Sequence, residues 1–185
     1  MIAEKWDILD KDGNPTGKTT IRGRSFLKPG EYHLVVHIWV MSGDGKYLIQ
    51  RRSDTKKLMP GEWAATGGAA VSGEDSFSAA KRELFEELGI RMDKFSAKKA
   101  FRIKRRNSIL DVWITTSNLP ADRLTLQQEE VADAMWITSE KLHQMIENGE
   151  FHNYGSTYFD AVFQAFDKKS AQRRRKKRYE SRHRE

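Results

Sequence analysis

The chain has 185 residues, a length typical of one compact domain and short for two. Hydrophobic residues make up 38% and charged residues 32%, which is typical of a folded soluble protein and excludes wholesale disorder. The absence of cysteine excludes disulfides, thiolate zinc sites and cysteine nucleophiles. There is no apolar run of 18 residues and no charged-then-apolar leader at Met1, so we expect a cytoplasmic protein without a membrane span.

The formal net charge of +7 is concentrated near the C-terminal end of the sequence. Residues 168–185 hold ten Lys and Arg against two Glu, a net charge of +8, which leaves −1 for residues 1–167. We therefore predict one domain over residues 1–167 and a basic tail over residues 168–185. Such a tail is usually disordered or a solvated helix extension, and the alternative is an electrostatic contact with RNA or another polyanion.

Runs of β-branched and aromatic residues between turn residues predict two hairpins in the first third of the chain. Their strands are Trp6–Leu9 with Thr19–Ile21, and Tyr32–Met41 with Tyr47–Arg51. A loop that contains Pro60-Gly61 and Gly67-Gly68 follows the second hairpin.

The clearest helical pattern covers residues 75–88, where apolar side chains recur at helical spacing and Gly89 provides a left-handed end. The later elements are two paired strands, a short strand, a helix capped by its first serine and a last helix. In chain order they are Phe101–Arg105, Leu110–Thr116, Met135–Ile137, a helix from Ser139, and Tyr158–Phe166. Strands on both sides of one long helix indicate a mixed α/β domain.

Three glutamates of the long helix lie on one of its faces. Glu83, Glu86 and Glu87 are three and four residues apart, so their carboxylates project within reach of one shared ion. Without a cation, each such pair costs on the order of 0.2–0.5 kcal/mol. An all-oxygen ligand set suits Mg²⁺, with Mn²⁺ as a second possibility. The alternative is a solvated acidic face paired with Lys81 or Arg82.

The residues around these glutamates form a longer pattern with fixed spacing. Five residues separate Gly68 from Glu74, and seven more precede the run Arg82-Glu83-Leu84-Phe85-Glu86-Glu87-Leu88-Gly89-Ile90. This pattern resembles the 23-residue signature of the Nudix hydrolases at every specified position. The resemblance implies an α/β/α sandwich, in which a mixed sheet lies between helices. It also implies Mg²⁺-dependent hydrolysis of a pyrophosphate bond in a nucleoside diphosphate-linked substrate or a nucleoside di- or triphosphate.

The same resemblance implies roles for individual acidic residues. Glu83, Glu86 and Glu87 would be metal ligands, and Glu83 could also act as a base. The family commonly takes a further catalytic carboxylate from a later loop, and Glu130 resembles that position. Asp111 is the competing carboxylate, although a strand aspartate that faces solvent is the simpler interpretation.

The other signature residues have structural interpretations. The same is true of Gly67, which comes directly before the signature. Gly67 and Gly68 allow a close backbone approach, so that a carbonyl such as that of Gly67 could join the metal ligands. We expect Glu74 to open the helix and to pair with Arg82 two turns later, which makes Arg82 an organiser of the loop.

Arg51 and Arg52 follow a predicted strand directly. Because side chains alternate along a strand, one of the two is expected to turn toward the substrate phosphates while the other faces water. The sequence leaves open which of them does so.

Segments outside the signature resemble the branch of the family that includes isopentenyl diphosphate isomerase. They are His33-Leu34-Val35-Val36, Gln50-Arg51-Arg52-Ser53 and Met59-Pro60-Gly61-Glu62-Trp63. An isomerase-type enzyme is therefore an alternative, but Gly67 stands where that branch has its cysteine and Ala69 where it has a ligand histidine. We interpret His33 as structural. A further alternative is an RNA-binding protein or RNA-end pyrophosphohydrolase that uses the basic tail. We expect a small-molecule substrate and a monomer or homodimer.

Overall fold

The structure is a computed structural model that describes residues 4–23 and 27–168. Its strands are β1 (Lys5–Leu9), β2 (Pro15–Ile21), β3 (His33–Met41), β4 (Tyr47–Arg52), β5 (Trp63–Ala64), β6 (Thr66–Ala69), β7 (Lys98–Lys104), β8 (Ser108–Thr116) and β9 (Val131–Ile137). Its helices are α1 (Ser76–Leu88), α2 (Ser139–Glu147) and α3 (residues 156–168), with a short 3₁₀ turn at Ala121–Arg123.

The chain divides into two compact units, Met1–His152 and Asn153–Glu185. The predicted single domain over residues 1–167 stays a prediction. The predicted basic tail lies outside the described residues except for Lys168. Within the second unit, α3 covers the predicted last helix, and the rings of Tyr154 and Tyr158 lie 4.7 Å apart. No helix in the described ranges is long and apolar enough to cross a membrane.

A seven-stranded mixed sheet forms most of the first unit. The strand order is β5-β4-β3-β8-β7, with β6 paired to β3 and β9 paired to β4. β3 and β8 run parallel along their whole length, and β7 pairs with β8 in the antiparallel sense. The expected mixed α/β fold is confirmed, with α1 packed against β3 and β6.

The two predicted hairpins have different outcomes. β1 and β2 pair as expected, and the carboxylate of Asp7 accepts hydrogen bonds from Ser72 Oγ at 2.6 Å and from Gly73 N at 2.8 Å. The second hairpin is present only beside its turn, where Val40 pairs with Leu48 and Met41 with Tyr47. Beyond that point β3 pairs with β6 and β8, while β4 pairs with β5 and β9.

The segment predicted as one loop contains β5 and β6, so that prediction is wrong. β6 has the sequence Thr-Gly-Gly-Ala, and it pairs with β3 from Ile38–Thr66 to Val35–Ala69. Backbone hydrogen bonds hold a strand of this kind, and its glycines provide no alternating side-chain pattern to recognise.

Helix α1 is fixed by its two ends and by its buried face. Asp75 caps the first turn by accepting a 2.7 Å hydrogen bond from Ser78 N. Glu74 therefore lies before the helix, and the prediction that Glu74 opens the helix is wrong. Gly89 ends the helix as predicted, with φ at +70° and its N–H donated to Phe85 O at 2.9 Å. Leu84 and Leu88 are fully buried, which stabilises the fold by roughly 1.5–3 kcal/mol for each side chain.

Two further residues differ from prediction. Thr138 rather than Ser139 caps α2, because its side chain accepts the 3.2 Å hydrogen bond from Lys141 N. Asp111 does not face solvent, because it is fully buried on β8 and receives bonds from Arg102 Nε at 2.6 Å and Nη2 at 2.9 Å. Burial would raise the pKa of Asp111, but the Arg102 hydrogen bonds and charge hold it below the usual value.

Candidate active site

The glycines of β6 lie directly beneath the signature glutamates. A Cβ atom added at Gly68 would overlap the carboxylate of Glu83, and one added at Gly67 would overlap the carbonyl oxygen of Val36. The close backbone approach expected at both glycines is therefore present. It lets α1 pack on β6 so that Glu83 lies against the backbone of Gly68.

Arg82 joins the loop before α1 to two of the three glutamates. Its Nε and Nη2 donate to the two carboxylate oxygens of Glu74 at 2.7 and 2.9 Å, which is a bidentate ion pair. Its Nη1 donates to Glu83 at 3.0 Å and to Glu86 at 2.9 Å, and its Nη2 also donates to Ala69 O at 3.1 Å. The hydrogen bonds to Glu74 raise the pKa of Arg82 above its usual value. The expected Glu74–Arg82 pair is present, and Arg82 also neutralises two candidate ligands.

Glu87 is the most deeply buried of the three, with 3% of its surface exposed. Its Oε2 accepts a 2.9 Å hydrogen bond from Gln50 Nε2, and Gln50 Oε1 in turn accepts from Thr66 Oγ1 at 3.1 Å. Burial, followed by the charge of Glu83, raises the pKa of Glu87 to about 8. The cation-free protein therefore holds this carboxyl largely protonated at neutral pH.

Glu83 and Glu86 differ in their surroundings. Burial raises the pKa of Glu83 to about 7, although the charge and hydrogen bond of Arg82 act in the opposite direction. The Glu86 side chain is 48% exposed and contacts Arg82. The exposure of the three carboxylates thus increases from Glu87, which is buried, through Glu83 to Glu86 at the surface.

The loop before β9 brings Glu130 to the same region. Gln127 N donates to Glu87 O at 3.2 Å, which ties this loop to the end of α1. The charge of Glu130 contributes to the raised pKa of Glu87, so the two carboxyl groups are electrostatically coupled. Glu130 forms an ion pair with Lys56, whose loop is also joined to Glu130 by a 2.9 Å bond from Ser53 N to Glu130 O.

The two arginines at the end of β4 are both held by the loop that follows. Arg51 Nη1 lies 3.7 Å from Asp54 Oδ1, and Arg52 Nε donates to Leu58 O at 3.1 Å. Which of the two turns toward phosphate stays open, and a phosphate contact by either stays a prediction.

The residue types of this site suit a divalent cation, but their side chains are not arranged as a set of ligands around one point. Among residues 4–23 and 27–168, no three acidic or histidine side chains are placed as a ready ligand set. Two of the candidate ligands, Glu83 and Glu86, instead accept hydrogen bonds from Arg82 Nη1. The available donors are carboxylate oxygens, and burial raises the pKa values of two of them, Glu83 and Glu87. A bound cation would offset the unfavourable burial of their charges.

The sequence did not single out Gln50 or Lys56, which complete the surroundings of Glu87 and Glu130. Gln50 carried a signal, because it is a polar residue after Tyr-Leu-Ile in a buried strand. Lys56 carried none, since its partner is 74 residues away. His33 stacks on Trp6 with ring centroids 4.1 Å apart, and burial lowers its pKa to about 4, which agrees with a structural interpretation.

Comparison with known proteins shows the family of this chain. A family model described as the NUDIX domain matches residues 31–157. An uncharacterized Nudix hydrolase of Listeria monocytogenes is 41% identical over 152 residues, which cover 82% of this chain and 89% of that relative. The chain belongs to the Nudix hydrolase family. It is accordingly an enzyme of the class that hydrolyses pyrophosphate bonds, and enzymes of this class generally use divalent cations.

Solved structures support the fold. The crystal structure of a Deinococcus radiodurans protein aligns with a TM-score of 0.71 at 24% identity, covering 86% of this chain and 98% of that one. The NUDIX domain of Shewanella oneidensis NrtR, in a complex with ADP ribose, aligns with a TM-score of 0.51 at 17% identity, covering 61% of this chain and 77% of that one.

Proposed function

We propose that the protein hydrolyses a pyrophosphate bond in a nucleoside diphosphate-linked substrate, with Mg²⁺ held by Glu83, Glu86 and Glu87. The observation that carries this proposal is the burial of Glu83 and Glu87 side by side over a glycine strand that leaves room for them. Burying two ionised carboxyl groups on one helix face is unfavourable, and Arg82 neutralises Glu83 but leaves Glu87 with a neutral partner, so a bound cation would stabilise the ionised pair.

Bound Mg²⁺ would neutralise charge on the diphosphate and make an attached water more acidic. The residues of this chain would hold the cation and keep its ligands in position. Glu83, Glu86 and Glu87 would hold the cation, and the Gly67 carbonyl is a further candidate ligand. Arg82 and Glu74 would keep the loop and helix in register, and Gln50 would orient Glu87.

Water would attack phosphorus, and the bond from that phosphorus to the bridging oxygen would break. Glu130 is our candidate to accept the proton of the attacking water, with Glu83 as the second candidate. We propose that Lys56, which pairs with Glu130, and either Arg51 or Arg52 contact the phosphate oxygens, because all three lie at the end of β4 or on the loop that follows it.

The proposed substrate class follows from one structural neighbour. The NUDIX domain of NrtR binds ADP ribose, a nucleoside diphosphate linked to a sugar, and its fold resembles this one. We therefore place nucleoside diphosphate-linked compounds first. Isomerase chemistry is not favoured, because the chain has no cysteine to exchange protons with an alkene.

The experiment is a substrate panel with the purified protein and Mg²⁺, read by phosphorus NMR. The panel contains ADP ribose, dinucleotides, nucleoside di- and triphosphates, coenzyme A and isopentenyl diphosphate. Cleavage of a nucleoside diphosphate-linked compound, abolished by EDTA and restored by Mg²⁺, supports the proposal. Isomerisation of isopentenyl diphosphate, or folded protein that cleaves nothing in the panel, would overturn it.

A further inference from the structure

The outward side of α1 forms one wall of a groove that the hydrolytic chemistry does not use. Phe77, Lys81 and Phe85 line this wall, and residues 91–95 form the other, enclosing about 800 Å³. Phe85 is 48% exposed whereas Glu87 is 3% exposed, so the groove opens away from the buried carboxyl group. Arg82 lies at its edge and is the one lining residue shared with the candidate active site.

The groove presents aromatic rings and cations side by side. Phe95 is 99% exposed, so its ring is open to contact from solvent. The Arg91 guanidinium lies 5.4 Å from the centre of the Phe85 ring, and Lys94 Nζ lies 5.6 Å from the centre of the Phe77 ring. The rings of Phe85 and Phe77 therefore each have a positive charge beside them.

The charge of the groove restricts what can occupy it. Lys81, Arg91 and Lys94 line it, and the acidic lining residue, Asp93, accepts a 2.9 Å hydrogen bond from Phe95 N. This surplus of positive charge favours an anionic occupant. A second copy docked symmetrically would place the same cations opposite each other, and residues 168–185 would bring eight more net positive charges.

We propose that this groove binds a single-stranded nucleic acid. Bases would stack on the exposed rings of Phe85 and Phe95, and phosphates would contact Lys81, Arg91 and Lys94. A strand with a base and a phosphate in every unit matches a surface that combines rings with cations, whereas an acidic peptide would need aromatic residues beside its acids to match both. The volume lies near the upper end for small-molecule sites, which also suits a segment of a strand. The inference is independent of which pyrophosphate the active site cleaves.

The test measures anisotropy of a labelled oligouridine of about 12 nucleotides, within the usual site sizes for such surfaces. Full-length protein is used in EDTA at several salt concentrations, so that the basic tail contributes equally to every variant. Phe95→Ala should weaken binding about fivefold or more without changing the salt slope. Lys94→Gln should weaken binding and make the negative slope of log affinity against log salt shallower by about 0.7.

Two matched controls accompany these variants. Leu58→Ala removes another exposed apolar side chain, which is 69% exposed, and Lys18→Gln removes an exposed lysine on β2. Both should bind as the wild type does. Unchanged affinity in Phe95→Ala and Lys94→Gln would overturn the proposal, as would equal affinity for uridine monophosphate and the oligomer. A dimer dissociated by Phe95→Ala, with oligomer affinity unchanged, would also overturn it and assign the groove to a second copy.

Discussion

Gln50 donates a 2.9 Å hydrogen bond to Glu87 and thereby connects strand β4 to helix α1. The orientation of its amide is fixed from the other side, because Thr66 Oγ1 donates to Gln50 Oε1. The arrangement gives a buried carboxyl group a polar partner in the absence of any cation. It also links the buried end of the proposed metal site to the core of the sheet.

Replacing Gln50 with leucine should therefore lower the free energy of unfolding by about 1–3 kcal/mol, because Glu87 would lose its buried partner. The double variant Gln50→Leu, Glu87→Leu should recover the part of that loss that comes from the unpaired carboxyl group, although the Thr66 hydroxyl still lacks its acceptor. Urea denaturation in EDTA measures both. Equal destabilisation in the single and double variants would show that the loss comes from packing instead.

The pH dependence of stability provides a second prediction for the metal-free protein. Glu87 has an ordinary pKa of 4.5 when unfolded and a pKa of about 8 when folded, so unfolding releases a proton between these values. Stability should therefore fall as pH rises through this range, by up to about 1.4 kcal/mol per pH unit from this group. Glu83, with a pKa of about 7, acts in the same direction.

Glu87→Gln removes the titration of Glu87 together with its electrostatic coupling to Glu83 and Glu130. The variant should keep its fold, and its stability advantage over the wild type should grow from pH 5 to pH 8. Thermal unfolding in EDTA across this range measures the difference. Parallel curves for the two proteins would contradict the raised pKa.

Arg82 gives a prediction about the loop before α1. Arg82→Lys keeps the charge but loses the bidentate contact with Glu74, so we expect a loss of about 1–2 kcal/mol in unfolding free energy. Arg123→Lys, at an exposed position of the 3₁₀ turn, is the matched control and should change little. In a double-mutant cycle with Glu74→Gln, a coupling near zero would count against the organising role.

Gly68 gives a prediction about activity. A Cβ atom there would overlap the Glu83 carboxylate, so Gly68→Ala should displace Glu83 and lower kcat/KM by about tenfold to a hundredfold. Gly43→Ala is the control, because its Cβ would meet only the Asn118 side chain in a loop elsewhere. If Gly68→Ala cleaved substrate as fast as Gly43→Ala, the contact with Glu83 would have no catalytic consequence.

The sequence predicted α1 and much of the fold, because these features depend on residues that lie close together in the chain. The spacing of Leu84 and Leu88 and the stop at Gly89 are visible within one stretch of chain. The bidentate pair between Glu74 and Arg82 was also expected, since eight residues separate them. The three signature glutamates share one helix face because spacings of three and four residues match the helical period.

Features that depend on distant residues were missed. The burial of Asp111 depends on Arg102 from the neighbouring strand, and an isolated aspartate in a strand gives no sign of that partner. Strand β6 depends on its pairing with β3 and has little side-chain pattern of its own. Gln50 and Glu87 are 37 residues apart, so only the fold brings them together.

Glu86→Gln tests most directly whether the glutamates of α1 hold the cation used in hydrolysis. Glu86 is the most exposed of the three, so its replacement should leave the fold intact. Loss of a ligand to a cation that contributes several kcal/mol should lower kcat/KM by at least about a hundredfold at saturating Mg²⁺.

The measurement compares kcat/KM of wild type, Glu86→Gln and Glu147→Gln on the panel substrate cleaved best. Glu147 is an exposed acid on α2, so its variant should match the wild type and control for the loss of one negative charge. We expect a selective loss of kcat/KM in Glu86→Gln with an unchanged melting temperature. Wild-type activity in a folded Glu86→Gln would contradict it.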